Sequence, residues 1–242
     1  MWGCLCISEL FVLLVEPKYS GNVGFIARLM ANFDVNHLYL INPCTLDDEA
    51  YRRSMHASDL LHQATIFSSF REAIQGMDYL VGTSAVETIS EKKHLRNPVY
   101  LEDMADKLQE VEGKIGLVFG REDYGLFNDE LAACDIMVKI PTSSQYPSLN
   151  LSHAVCLVLY AVYRRNQGEP RTRRTIGSLE REKLFDFFAD ILEEIRYPEH
   201  KKEKTSIMFR RIMGRALPST WEYHTLMGVL GKTLERLKEK KQ

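Results

Sequence analysis

The sequence predicts an α/β protein built on a parallel sheet, with a small all-helical extension at its C-terminal end. Three observations predict it. Short, nearly continuous apolar runs alternate with helical patterns over residues 10–165. The runs lack the apolar–polar alternation of a sheet with one wet face, which suits strands buried on both sides. Beyond residue 177 only helical periodicity remains.

The first strand is expected at residues 10–15, inside MWGCLCISELFVLLVEP. That stretch has no basic leading region and Glu9 interrupts its apolar run, so it reads as a buried strand and not a signal peptide. Further strands are expected at 37–41, 79–82, 115–119 and 136–140. Helices are expected at 23–32 with Asn22 as N-cap, within 47–61, and at 70–75, 101–110, 128–134 and 151–165. The stretch NQGEPRTRRTIG (166–177) is polar, basic and broken by Gly and Pro, as a linker would be. Helices at 179–196, 204–215 and 219–240 follow, separated by Pro198 and Pro218. The expected division is an α/β domain over 1–166, a basic linker over 167–177 and a helical extension over 178–242.

A chain of 242 residues, 45% hydrophobic and 26% charged, has the composition of a globular protein with a sizeable core. A net charge of −2 excludes a protein that is basic all over but permits a local basic face. Cys4, Cys6, Cys44, Cys134 and Cys156 form no CxxC pair and fit no zinc spacing, so they read as reduced thiols of a cytoplasmic protein. No run approaches the roughly 18 apolar residues of a membrane span.

In an open α/β sheet, ligands bind beyond the carboxyl ends of the strands. After the first strand comes EPKYSGNVGFIARLM, a loop and cap with a surface arginine, or an anion site where a helix start meets Arg28. After the third comes GTSA (82–85), a simple turn or a place where small residues admit a ligand to the backbone. After the fourth comes FGREDYGL (119–126), where Gly120 permits close backbone approach and Arg121 and Glu122 stand at a strand mouth. After the fifth comes IPTSSQYPSLNLSHA (140–154), crowded with polar residues of which Asn150 or Ser152 can cap the following helix. There is no GxxxxGK[ST] and no GxGxxG, which disfavours a P-loop and a standard dinucleotide turn. His153 reads as structural, and the Met and Phe residues of the last helices read as core.

In this order and spacing, GNVGFIARLM (21–30), GTSA, VFGREDYGLFNDEL (118–131) and IPTSSQYPSLNLSHAV (140–155) resemble the SPOUT superfamily of RNA methyltransferases. The closer resemblance is to the TrmJ-type tRNA ribose 2′-O-methyltransferases. It implies a parallel-sheet domain with a deep C-terminal trefoil knot, a homodimer whose site is completed across the interface, and S-adenosylmethionine as methyl donor. It implies that Thr83, Ser84 and Ala85 form one wall of the donor pocket, that Gly120 and Ile140 lie against it, and that Pro147, Ser148 and Leu149 close it. Arg28 matches the motif-one catalytic arginine, Ser148 and Asn150 the polar positions near the reacting centre, and Glu122 a glutamate that orders its loop or the dimer contact. Asp123 and Tyr124 stand where a basic residue is common, and Phe25 where a smaller one is frequent.

The implied reaction is transfer of a methyl group to a tRNA ribose at nucleotide 32 of the anticodon loop. The alternatives are another tRNA or rRNA ribose, or a knotted RNA-binding protein without activity. The donor is already activated, so the chemistry needs no metal. A guanidinium is a poor base, so Arg28 is expected to clamp an RNA phosphate and stabilise a developing alkoxide. RNA contacts are expected from Arg28, Arg121, Arg171, Arg173, Arg174, Arg210 and Arg211. The bland reading of the C-terminal charges is a solvated helix face.

Overall fold

A computed structural model describes residues 8–85, 98–166 and 176–239. Arg171, Arg173 and Arg174, with most of the expected linker, lie outside the described residues. Seven parallel strands form one sheet: β1 (Glu9–Val15), β2 (His37–Ile41), β3 (Thr65–Phe67), β4 (Tyr79–Thr83), β5 (Val99–Tyr100), β6 (Lys114–Phe119) and β7 (Ile136–Lys139). Their order is β3-β2-β1-β6-β4-β7-β5. The five strands expected from the sequence are the five central ones. The two edge strands, of three and two residues, are too short to carry a pattern, and Ile66 in β3 is 65% exposed.

The sheet buries both faces because the central strands are apolar along most of their length, with charged residues such as Glu9, Lys114 and Lys139 only at their ends. In β1, Val12 and Leu14 join a core with α1 (Ser20–Asn32), α5 (Leu101–Leu108) and α7 (Leu151–Asn166). Phe11, Leu13 and Val15 point the other way, with Leu131 of α6 (Asn128–Ala133) and Ala73 of α4 (Phe70–Ala73). Helix α1 also packs on α2 (Asp48–Ser54), and contact is close because Gly24 has no Cβ to meet the Ala50 carbonyl. A 3₁₀ turn (Met55–Ala57) and α3 (Ser58–His62) complete this side.

One expectation about a cap needs correcting. Helix α1 starts at Ser20 with Tyr19 in the N-cap position, and the Asn22 N–H already donates to the Tyr19 carbonyl at 3.0 Å. The Asn22 side chain is thereby freed for another task.

The C-terminal helices α8 (Ser178–Glu194), α9 (Glu199–Ala216) and α10 (Thr220–Glu239) share a small core around Leu184 and Tyr223. They are also fastened to the sheet. The buried Tyr79 hydroxyl donates to the Gly214 carbonyl at 2.5 Å, and Lys107 Nζ donates to the Arg215 carbonyl at 2.6 Å. Asp135 accepts from the Leu80 N–H at 2.8 Å and faces the Arg181 guanidinium at 3.5 Å. Leu217 belongs to the main core.

This fastening corrects one RNA contact and redirects another. Arg211 is only 4% exposed and donates to the Leu131 carbonyl at 2.5 Å, so it ties α9 to α6 and offers no surface to RNA. Arg210 binds Glu182 at 3.0 Å and lies over the Phe185 ring at 4.2 Å, so its charge is already engaged within the extension.

Removing the Tyr79 hydroxyl leaves the buried Gly214 carbonyl without its donor. Tyr79→Phe is expected to lower unfolding stability by about 1–3 kcal/mol, read by urea denaturation.

Candidate functional site

Strands β6, β4 and β7 lie side by side, and their carboxyl ends open into three loops. They stand on the side of β1 away from β2 and β3, where the winding of the sheet has reversed and ligand sites form in open α/β sheets. Between the loops lies a cavity of about 300 Å³. Thr83, Ser84 and Ala85 line it from β4, Phe119 and Gly120 from β6, and Val138 and Ile140 from β7. Pro147, Ser148 and Leu149 close it from the last loop. The structure thus brings all eight residues expected to hold a donor to one cavity. Main-chain order fixes its walls: Thr83 Oγ1 donates to the Val118 carbonyl and the Ser84 N–H to the Val138 carbonyl, each at 3.0 Å. Thr142 Oγ1 donates to the Pro147 carbonyl at 3.0 Å and bends the closing loop.

The loop after β6 is a small hairpin in which Arg121 and Gly125 exchange backbone hydrogen bonds of 3.2 and 2.8 Å. Gly120 must be glycine because this hairpin folds back on it, and a Cβ there would overlap the Gly125 carbonyl. The close backbone approach expected at Gly120 is therefore made by the protein itself. Gly125 takes φ +65°, a left-handed value that suits glycine.

Arg121 is 7% exposed and does not reach a surface where RNA could lie, which corrects a second expected contact. Its guanidinium donates to Glu16 at 2.7 and 2.9 Å and to Glu130 at 3.0 Å through two nitrogens, with the Phe127 ring 3.9 Å away. The hydrogen bonds from Arg121 hold the Glu16 carboxyl below the usual carboxylate range. Glu16 itself sits at φ +46°, so the bidentate pair holds a strained residue at the end of β1.

Glu122 stitches this hairpin to α1, accepting from the Lys18 N–H and from Asn22 Nδ2, each at 3.0 Å. Lys18 also pairs with Asp123 and lies 5.4 Å from the Tyr124 ring. Asn22 Oδ1 in turn accepts from Asn150 Nδ2 at 3.1 Å. Asn150 Oδ1 accepts from the Ser152 N–H at 2.9 Å and its hydroxyl at 2.7 Å, so Asn150 is the cap of α7. The chain Glu122–Asn22–Asn150 runs along the rim of the cavity and joins three separate motifs.

Residues 9–160 match the profile of the SpoU rRNA Methylase family. The chain belongs to this family. It is 43% identical over 228 residues to the tRNA (cytidine-2'-O-)-methyltransferase TrmJ of Methanocaldococcus jannaschii, covering 91% of this chain and 98% of that one. It superposes on the crystal structure of TrmJ from Z. mobilis ZM4 with a TM-score of 0.68 and 25% identity, over 93% and 98% of the two chains. It is also similar to the SpoU methyltransferase AviRb from Streptomyces viridochromogenes in complex with the cofactor AdoMet, with TM-score 0.52 and 25% identity over 66% and 62%.

In this SpoU methylase the expected catalytic residues do not all meet. Ser148 lines the cavity and Asn150 adjoins it through the rim, but Arg28 does not. Six residues beyond Asn22 on α1, it lies about 9 Å along the helix and about 120° around it. There it is exposed beside Arg52 and Arg53. The cavity suits S-adenosylmethionine by its lining, where Val138, Ile140 and Leu149 offer apolar surface beside main-chain groups and the hydroxyl of Ser148. Its volume is at the lower end of small-ligand sites. Among the described residues no cluster of three metal-ligating side chains occurs, and no helix is long and apolar enough to cross a membrane. Cys44, Cys134 and Cys156 are free, and burial pushes the Cys134 thiol up to about 12.

Sequence reasoning missed Asn22 as a rim residue and Glu16 as the partner of Arg121. The first had a signal, since Asn22 opens the motif that ends in Arg28. The second had none, because a glutamate before a proline after a strand looks like an ordinary loop.

Arg121→Gln strands Glu130 in the interior and is expected to cost about 3–5 kcal/mol. The Glu16 pair makes stability depend on pH on the acid side. Because the folded carboxyl titrates below its ordinary 4.5, its contribution is present above that value and disappears as pH falls through the lower folded value. Denaturation between pH 7 and pH 3 should therefore show a steeper acid loss in the wild type than in the variant.

Proposed function

We propose that this SpoU methylase is an S-adenosylmethionine-dependent tRNA ribose 2′-O-methyltransferase acting at nucleotide 32 of the anticodon loop. The observation that carries the reading is the convergence of GTSA, FGRE and PSL on one cavity at the reversal of the sheet, beside a rim of three linked polar side chains. The tRNA assignment is supported by the similarity to TrmJ over nearly the whole chain. The same reading includes the trefoil knot and a site of action in the cytoplasm.

S-adenosylmethionine, when bound, supplies a methyl group already activated on a sulfonium. The residues that would hold it are 83–85, 120, 140 and 147–149, which line the cavity, and alignment of donor and acceptor can lower a barrier by roughly 7–11 kcal/mol. Ser148, which lines the cavity, orients the ribose hydroxyl by a hydrogen bond in this reading. Arg28 stabilises the oxygen as charge develops on it, and a phosphate or water accepts the proton. Since Arg28 points away from the cavity of its own subunit, it serves a second copy of the chain. Exposed Leu157 and Tyr160 on α7 support such a homodimer by leaving apolar surface beside α1.

A second reading, methylation of a ribosomal RNA ribose, is favoured by the description of the family. Calorimetric titration with S-adenosylmethionine, followed by nucleoside mass spectrometry of treated tRNA and rRNA, separates these readings. Saturable donor binding and a 2′-O-methylated nucleotide 32 are expected. No donor binding would leave only a knotted RNA-binding scaffold.

Asn150 offers a sharper test because it both caps α7 and holds Asn22. Asn150→Asp keeps the capping oxygen and loses the donor to Asn22. Its stability is expected to stay within about 1 kcal/mol of wild type, while turnover at saturating donor falls at least tenfold. Unchanged turnover would reduce this residue to a cap.

A further inference from the structure

The arginines expected to carry RNA from the C-terminal extension are engaged there, which leaves open where the substrate backbone lies. Another group of arginines stands on α1 and α2. Where α1 packs on α2, Arg28 meets Arg52 and Arg53 of the last turn of α2 around a groove of about 320 Å³, with Phe25 and Met55 as its apolar floor. All three arginines are exposed. Among the described residues Arg53 has one carboxylate partner, Glu49 at 3.3 Å, and its guanidinium lies 5.0 Å from the Phe25 ring. Arg28 and Arg52 form no ion pair among the described residues. Three exposed guanidiniums gathered in this way set up a local positive field that attracts an anion, most strongly at low ionic strength.

We propose that this groove binds the phosphodiester backbone of the RNA substrate, with Arg52 and Arg53 as phosphate contacts and Phe25 as a stacking surface for a base or ribose. The proposal rests on the RNA-methylating reading. Three geometric features support it. The arginines present flat, bidentate donors suited to phosphate oxygens. An exposed aromatic between them is the pattern by which single-stranded nucleic acid is held. The groove includes Arg28, so a strand seated there passes directly to the residue assigned to the reacting ribose. A second copy of the chain fits less well over Arg52 and Arg53, because the residues lining the groove include no carboxylate and Glu49 is already paired with Arg53.

The test uses the full chain, a tRNA transcript and salt titrations followed by fluorescence anisotropy. Arg52→Gln combined with Arg53→Gln is expected to weaken RNA binding about tenfold or more and to flatten the slope of log affinity against log salt by roughly one to two. Donor affinity should stay within twofold. Phe25→Ala should weaken RNA binding about fivefold or more without changing the slope. Arg52→Lys combined with Arg53→Lys should keep most of the slope, which separates charge from loss of fold. Unchanged affinity and slope in the Gln variant would overturn the groove as an RNA site. So would a wild-type dimer that becomes monomeric in that variant, since the groove would then be a subunit contact. A wild type that binds RNA through this groove but takes up no S-adenosylmethionine would sink the methyltransferase reading and leave the groove standing.

Discussion

Arg121 is the interaction on which the candidate site depends. It is a buried cation between two carboxylates, one at the end of β1 and one on α6. Removing an ion from water is costly, and only close, multidentate pairing repays it. The repayment here requires that β1, the hairpin after β6 and α6 stay in one arrangement. The hairpin carries Gly120 and Glu122, and Glu122 in turn holds the start of α1. A cavity wall, a strained glutamate and the entry of a helix thus share one anchor.

The two flanks of the cavity are supported from behind. Tyr79 and Asp135 sit at the roots of β4 and β7, the strands whose far ends form the cavity walls. Both are bound by the C-terminal extension, through Gly214 and Arg181. The extension is consequently part of the scaffold that shapes the site, besides whatever it touches in solution. Gly214 marks the contact, since a Cβ there would overlap the Asp135 carbonyl.

Arginine is used here in two physically distinct ways. Arg121 and Arg211 are interior and bind the protein itself, Arg121 through Glu16 and Glu130 and Arg211 through the Leu131 carbonyl. Arg28, Arg52 and Arg53 are exposed, and among the described residues only Arg53 has a carboxylate partner, Glu49. A net charge of −2 conceals this division, because composition counts charges without saying which are already neutralised. The charge available to a polyanion is set by the exposed, unpaired fraction.

The five central strands, the long helices and the loops that bear GTSA, FGRE and PSL were legible in the sequence. Apolar runs and turn residues act locally, and a strand buried on both faces must be written continuously in apolar residues. The motifs were legible because their glycines and polar residues interrupt that pattern. Edge strands β3 and β5 were not legible, since two or three residues carry no period. The roles of the charged residues were not legible either. Arg121 and Arg28 read alike in one dimension, and only the packing of Glu16, Glu130 and Phe127 around one of them makes it internal. Asn150 was open between cap and reacting group, and the structure gives its oxygen to α7 and its nitrogen to Asn22. The sequence by itself determined the elements and the chemistry at their ends, because those depend on neighbours in the chain. The tertiary structure alone decided which side chains are spent on the fold and which remain for a ligand, because burial and pairing are made by residues more than a hundred positions apart.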